Sequence, residues 1–471
     1  MMKFSFSKIT GVTFGLLISL SLSAQIGISK FGTAPDASAM LDVQSTTKGF
    51  LTPRMTANER AAIASPATGL LVYQTDGVVG FYYNQGTPSE TDWVRLGNEK
   101  DAQGFLTRIP IDSVAHFADY KGTYANYVIS QPGAYYLTDT FSIAQTGGNG
   151  IVIDADNVTL DLNGFAIYGD GNNNVNNGGT PSDQLSDPGG SGAGIFVDGE
   201  HFNITIKDGY LNSWQDDGIY APEVKNSIFQ NLSLRYNGQN GMTLGNQNLI
   251  DNCVSFFNVL DGIHAGKGNN IINCRGQGNG ESAMQADSSS QFISCTAFAN
   301  YGDGITAGVA SLILGSIVTN NELDGIHAAS DCSILKCAAY GNIGNGIQVD
   351  ENSTVRHCSS ALNRDSGIRL TGQSGVVINN AVHENDLHGI ICANTTLNAI
   401  RVDGNTITDN DVTGLLMESG GGLVIRNVAA GNVTAFTLHA DTNRGPVVDV
   451  EGVGDISTVT NANHPLANFI Y

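Results

Sequence analysis

One pattern limits what this chain can fold into more than any other. A glycine followed by a large apolar residue returns at near-constant spacing through the middle of the sequence. Gly218, Gly241, Gly262, Ala283, Gly304, Gly325, Gly346, Gly367, Gly389 and Gly414 fall in one column, at steps of 23, 21, 21, 21, 21, 21, 21, 22 and 25 residues. A period of this size marks a solenoid, in which each unit buries its apolar face only against its neighbours.

The residues after each glycine say which solenoid. Ile219, Met242, Ile263, Met284, Ile305, Ile326, Ile347, Ile368 and Ile390 come first, and small or apolar residues return two places later at Ala265, Ala286, Ala307, Ala328, Val349 and Leu370. Between them stand Thr243, His264, Gln285, Thr306, His327, Gln348 and Arg369. This apolar–polar alternation is that of a strand. A second apolar group follows, as in Ile271-Ile272 and Phe292-Ile293, and no unit has room for a helix. The reading is all-β: a parallel β-helix with coils of about 21 residues.

Two further columns support it. Asn237, Asn258, Asn279, Asn300, Asn321, Asn342, Asn363, Asn385 and Asn410 lie four residues before the repeat position. Stacked about 4.8 Å apart, their amides can hydrogen-bond from coil to coil, and Asn tolerates the left-handed backbone of a tight turn. Cys253, Cys274, Cys295, Ser316, Cys337, Cys358 and Asn380 form a second column. In-register neighbours sit farther apart than the about 3.8 Å between Cβ atoms that a disulfide prefers, so these thiols are expected to be free and buried. Cys332 and Cys392 lie off that column, and the Cys332/Cys337 spacing is a weak zinc signal.

The remaining segments divide the chain. Residues 1–24 carry Lys3 and Lys8, an apolar run and a small-residue end, a secretory signal cut near Ala24. The run is shorter than the about 20 residues of a spanning helix, and no membrane insertion is expected. A secreted or cell-surface location follows. Removing those two lysines from 22 basic residues, against 44 acidic ones, gives a formal charge of −24. Nucleic acid, which is bound through Lys and Arg, is excluded as a partner. Residues 25–97 form a small, mostly β module with a brief helix near Ala57 to Ala64, and 98–104 a linker. The solenoid is capped by 105–150, runs through 151–440 and closes in 441–471.

"PGAYYLTDTFSI" from Pro132, "GNGIVIDADNVTLDLNGFAIYGDG" from Gly148, the "NGI/DGI" coils and the "HPLANFIY" ending together resemble the right-handed parallel β-helix superfamily, which holds pectate lyases, polygalacturonases and tailspikes. The likeness is nearer to secreted bacterial β-helix repeat proteins, and it implies a fold without bringing an activity. The segment from Gly27 to Gly97 resembles a module that opens secreted proteins of Bacteroidetes-type bacteria, which implies display or assembly.

In such a fold the outward side chains of one sheet make a groove floor. His264 and His327, with Asp303 and Asp324 before the repeat glycines, are the candidate catalytic residues, and Gln285, Gln348 and Arg369 the candidate substrate-binding ones. Lyase chemistry needs a base and often a cation; hydrolysis needs two carboxylates about 5 to 10 Å apart. Three coils, roughly 14 Å, separate the two histidines, so they cannot share a proton. Asp216-Asp217 in "WQDDGIY" resembles the paired-Asp motif of polygalacturonases, but that family's other motifs are missing as a set. Turn chemistry is the favoured account of the Asp-Gly pairs, as a solvated strand face is of His264 and His327. The polar insertion at 168–194 spaces Asp170, Asn172 and Asn174 as oxygen ligands for calcium. The expected partner is extracellular polysaccharide, engaged along the groove and cleaved there by a lyase or hydrolase. The alternative is a non-catalytic adhesin or fibre component.

Overall fold

The computed structural model describes residues 25–30, 32–96, 108–112, 118–143, 147–169, 192–393 and 399–471. The expected signal segment 1–24, the expected linker 98–104 and the calcium candidates Asp170, Asn172 and Asn174 lie outside them. The chain divides into two units, Met1–Phe105 and Leu106–Tyr471.

The first unit is small and mostly β. Strands Ile26–Ser29 and Leu41–Gln44 pair in parallel, and Arg54–Met55, Leu71–Gln74, Gly80–Asn84 and Trp93–Leu96 make a four-stranded sheet. The helix Ala57–Ala61 starts on a capping box: Thr56 Oγ1 accepts from the Glu59 N–H, and the Glu59 carboxylate accepts from the Thr56 N–H at 2.7 Å. Few side chains here are buried. Ile26, Ile28, Met40, Leu41, Phe50 and Leu51 are each at least half exposed.

The second unit is a parallel β-solenoid. Successive coils stack a fifteen-stranded sheet that runs from Ala118–Tyr120 to Thr434–Leu438, parallel except at its first pairing. Each regular coil adds one strand to this sheet and one to each of two further stacks, as with Ile263–Ala265, Asn270–Ile272 and Arg275–Gln277. Inward residues Ile219, Met242, Ile263, Met284, Ile305, Ile326, Ile347, Ile368 and Ile390 have no solvent exposure and form one continuous core.

The corners follow one rule. A residue with positive φ turns the chain, and the next residue points inward and binds the coil beyond. Asn237, Asn258, Asn279, Asn300, Asn321, Asn342, Asn363, Asn385 and Asn410 each donate from Nδ2 to the Oδ1 of the next ladder residue at 2.8–2.9 Å, and the file runs on to Asn432. That oxygen also accepts a backbone N–H. The ladder is as expected. The left-handed backbone is not on the ladder Asn but on the residue before it: Tyr236, Phe257, Gly278, Ala299, Asn320, Gly341, Leu362, Glu384 and Asp409. The ladder side chain must point inward, so the residue ahead of it takes the turn.

A second file runs Ser227, Asn248, Asn269, Ser290, Ser311, Cys332 and Ser353, each N–H reaching the next side chain. It gives Cys332 its place. The third file is the cysteine column, which continues through Asn380, Asn405 and Asn427 to Asn468. All seven cysteines are free and buried, and burial pushes the Cys274, Cys295 and Cys392 thiols up, away from reactive thiolate. Cys392 stands in the apolar row between Leu370 and Met417.

Asn468 also explains the C-terminal end. Strand Asn468–Ile470 pairs with both Val428–Ala430 and Val447–Asp449, so the last residues return to lie on the final coil.

Candidate functional site

The outward side chains of the fifteen-stranded sheet form a row. Phe196, Tyr220, Thr243, His264, Gln285, Thr306, His327, Gln348 and Arg369 follow one another in register. Their strand neighbours on both sides point into the core, so alternation alone holds them outward. Each is half-buried. The row becomes apolar at Ile391, which is buried. At its other end the rings of Phe196 and Tyr220 stack at 5.9 Å, nearly parallel.

Three residues before each row position stands a second row: Asp217, Asn240, Asp261, Ser282, Asp303, Asp324, Asn345 and Ser366. It is a fourth ladder. Oδ1 of Asp217, Asn240 and Asp261 accepts the next coil's N–H at 2.7, 2.9 and 2.8 Å. Asp303 and Asp324 do the same for Asp324 and Asn345, at 2.9 and 2.6 Å. The acids ahead of the repeat glycines thus have the turn role that their sequence context allows, with one oxygen of each tied to the backbone.

The second oxygen faces the outward row. Asp261 Oδ2 lies 2.9 Å from His264 Nδ1. Asp303 Oδ2 lies 3.4 Å from His327 Nδ1 on the next coil and accepts from the Thr306 hydroxyl at 3.1 Å. His327 Nε2 lies 3.4 Å from the Gln348 amide nitrogen, and Gln348 Oε1 accepts from Asn345 at 3.2 Å. The hydrogen bond to Asp261 holds the His264 pKa above its ordinary value, and Asp303 does the same for His327. Burial pushes the Asp324 carboxyl up. Burial, with Asp216 beside it, raises Asp217 to about 7.

Among the candidates from sequence, the structure brings His327, Asp303, Asp324 and Gln348 together. One ligand-type atom from each of Asp303, Asp324 and His327 lies within 4.8 Å of the others. Two carboxylate oxygens and one imidazole nitrogen do not match the six to eight oxygens that calcium takes. The cluster is suited to holding a proton. His264 sits three strand steps away with Asp261, Gln285 lies between it and Thr306, and Arg369 ends the polar row. The two histidines share no contact, as their spacing implies. Sequence reasoning missed the stacked Phe196 and Tyr220, although both occupy the middle of the same three-residue strand pattern as His264.

Residues 193–336 and 307–445 match the family model described as right handed beta helix region, and residues 27–108 match one described as phage tail like trimerisation region. No curated protein matches the sequence. Among solved structures, the A-module of the mannuronan C-5 epimerase AlgE6 from Azotobacter vinelandii is 16% identical, with 78% of this chain and 90% of that one covered and a TM-score of 0.37. ORF18 of Geobacillus virus E2 is 12% identical over 76% and 74%, at 0.40. The pectate lyase Pel9A is 14% identical over 67% and 70%, at 0.28. None reaches 0.5, so the site is read from its own geometry.

Proposed function

The chain belongs to the right-handed β-helix family, and on that premise we propose that its solenoid engages extended extracellular polysaccharide along the outward row of the fifteen-stranded sheet. The carrying observation is the row itself: hydrogen-bonding side chains at the strand spacing of about 4.8 Å, with stacked rings at one end for the apolar face of a sugar. Gln285, Gln348 and Arg369 bind, and His327, held by Asp303, is the group that would move a proton in a lyase or hydrolase reaction.

A second reading, binding without cleavage, is favoured by the fourth ladder. Asp261, Asp303 and Asp324 each give one oxygen to a backbone N–H of the next coil, a structural role that these acids fill without any cleavage. The similarity of residues 27–108 to a trimerisation region, with the exposed apolar residues of the first unit, supports assembly of three copies, the organisation of a displayed fibre or adhesin. Secretion, read from residues 1–24, belongs to the same proposal.

Incubation with a panel of plant and algal polysaccharides separates the readings. Unsaturated uronate absorbance or new reducing ends, lost in His327→Ala, identify an enzyme. Retention on a glycan without product identifies a binder. Neither product nor retention on any member of the panel contradicts the proposal.

A further inference from the structure

A concave site lies away from the fifteen-stranded sheet, on the outer face of one of the other stacks. Arg356, Ile378 and Asp403 follow one another there in register. Together with Asn379, Arg401 and Arg426 they line a surface cavity of about 530 Å3. The chain carries 44 acidic and 22 basic residues, yet three guanidiniums meet here.

Asp403 is the acid in the lining. It is almost fully buried. Burial alone would raise its carboxyl, but the hydrogen bonds from Arg426 and Arg401 outweigh this and hold it below the ordinary value. Arg426 Nε donates to Asp403 Oδ1 at 2.7 Å and Arg401 Nε to Oδ2 at 3.0 Å. One carboxylate thus fixes two planar forks at the cavity while cancelling the charge of one. Arg401 and Arg426 remain nearly half exposed, and Arg356 is exposed across Ile378.

We propose that the Arg356–Arg401–Arg426 cavity binds an oxyanion of the kind that acidic saccharides carry, a carboxylate or a sulfate ester. Nε and Nη2 of both Arg401 and Arg426 close on Asp403, so an anion would meet their Nη1 donors and the exposed Arg356 guanidinium, charge-assisted partners for an oxyanion. In a chain of this net charge, a local surplus of positive charge is what lets an anion approach. The site is separate from the histidine row and does not depend on the reading given to that row.

Isothermal titration of the full chain at fixed ionic strength tests it, with sodium sulfate, trigalacturonate and uncharged cellotriose as probes. Saturable binding of an anion is expected, weakened about tenfold or more in Arg356→Gln by loss of one charge-assisted contact. Arg356 is exposed and outside the Asp403 pairs, so this variant folds; Arg426→Gln should weaken binding as well. A His327→Ala, Gln348→Ala double variant should keep the sulfate affinity, which separates this site from the row. Trigalacturonate binding above sulfate names a saccharide acid as occupant, and sulfate binding alone names a free anion. No saturable anion binding, or binding unchanged in Arg356→Gln, overturns the proposal.

Discussion

Gly276 and Ala283 show what a single methyl group decides in this fold. Nearly every member of the repeat column is glycine because a Cβ there would meet the next coil's carbonyl oxygen, at 2.5 Å for Gly304 and 2.6 Å for Gly325. Ala283 breaks the column, and glycine appears opposite it instead: a Cβ on Gly276 would lie 2.5 Å from that of Ala283. Gly276→Ala should destabilise the chain by about 1–3 kcal/mol through overpacking. Adding Ala283→Gly should recover part of that loss, since it removes the Cβ contact and leaves the one to the Ala283 Cα at 2.8 Å. Denaturant unfolding of the four variants as a cycle checks the coupling, and strict additivity would contradict it. Asp217 gives a pH test at the same scale. Its pKa in the fold is raised from 3.8 to about 7, chiefly by burial. The folded state therefore holds a proton that the unfolded state releases, and the stability from that proton is complete below about pH 4 and lost as pH rises through about 7. Asp217→Asn, which mimics the neutral acid, should raise the melting temperature at pH 8 and gain little at pH 4. The gain is bounded by about 4 kcal/mol. A variant less stable at pH 8 would show that the charge itself is used.

At the scale of elements, the coil rests on its corners. Asn468 is the last member of the third file and accepts from the Asn427 N–H and side chain at 3.0 and 3.1 Å. Asn468→Ala leaves the buried Asn427 N–H without a partner, while the Asn427 amide keeps the Val402 and Ile425 carbonyls, a loss of about 1–3 kcal/mol. Hydrogen exchange should quicken at Val428–Ala430 and stay unchanged at Ile305–Ala307, because a solenoid transmits stability mainly to its neighbours. Uniform quickening would contradict this. Much of this architecture was legible in the sequence, since period, alternation and the Asn and Cys columns are all one-dimensional signals. The left-handed corners were not. Phe257, Ala299 and Leu362 hold positive φ, a conformation such residues rarely adopt, and only the ladders that follow them make it tolerable. The candidate site was legible as a row and not as contacts. Spacing placed His327 on the outward face, but its partner Asp303 is on the preceding coil, and which carboxylate oxygen serves the ladder depends on side-chain rotamers. The arginine cavity was invisible for a related reason: Arg356, Arg401 and Arg426 come from three coils at unequal spacing.

In the whole molecule a parallel β-solenoid follows a small unit whose residues 27–108 match a model described as a phage tail like trimerisation region. If residues 27–108 bring three copies together, light scattering on the eluted full chain should give three times the chain mass, and Ile28→Asp with Leu41→Asp should give one. A wild-type mass of one chain would contradict that reading. Three rows on one particle would raise retention on a repeating polymer beyond that of one row. Affinity electrophoresis through gels of the panel polysaccharides reads binding by the outward row. The full chain should be retarded by at least one of them, and the His327→Ala, Gln348→Ala variant should be retarded less. Equal retardation of both proteins, or of neither in every gel, would contradict it.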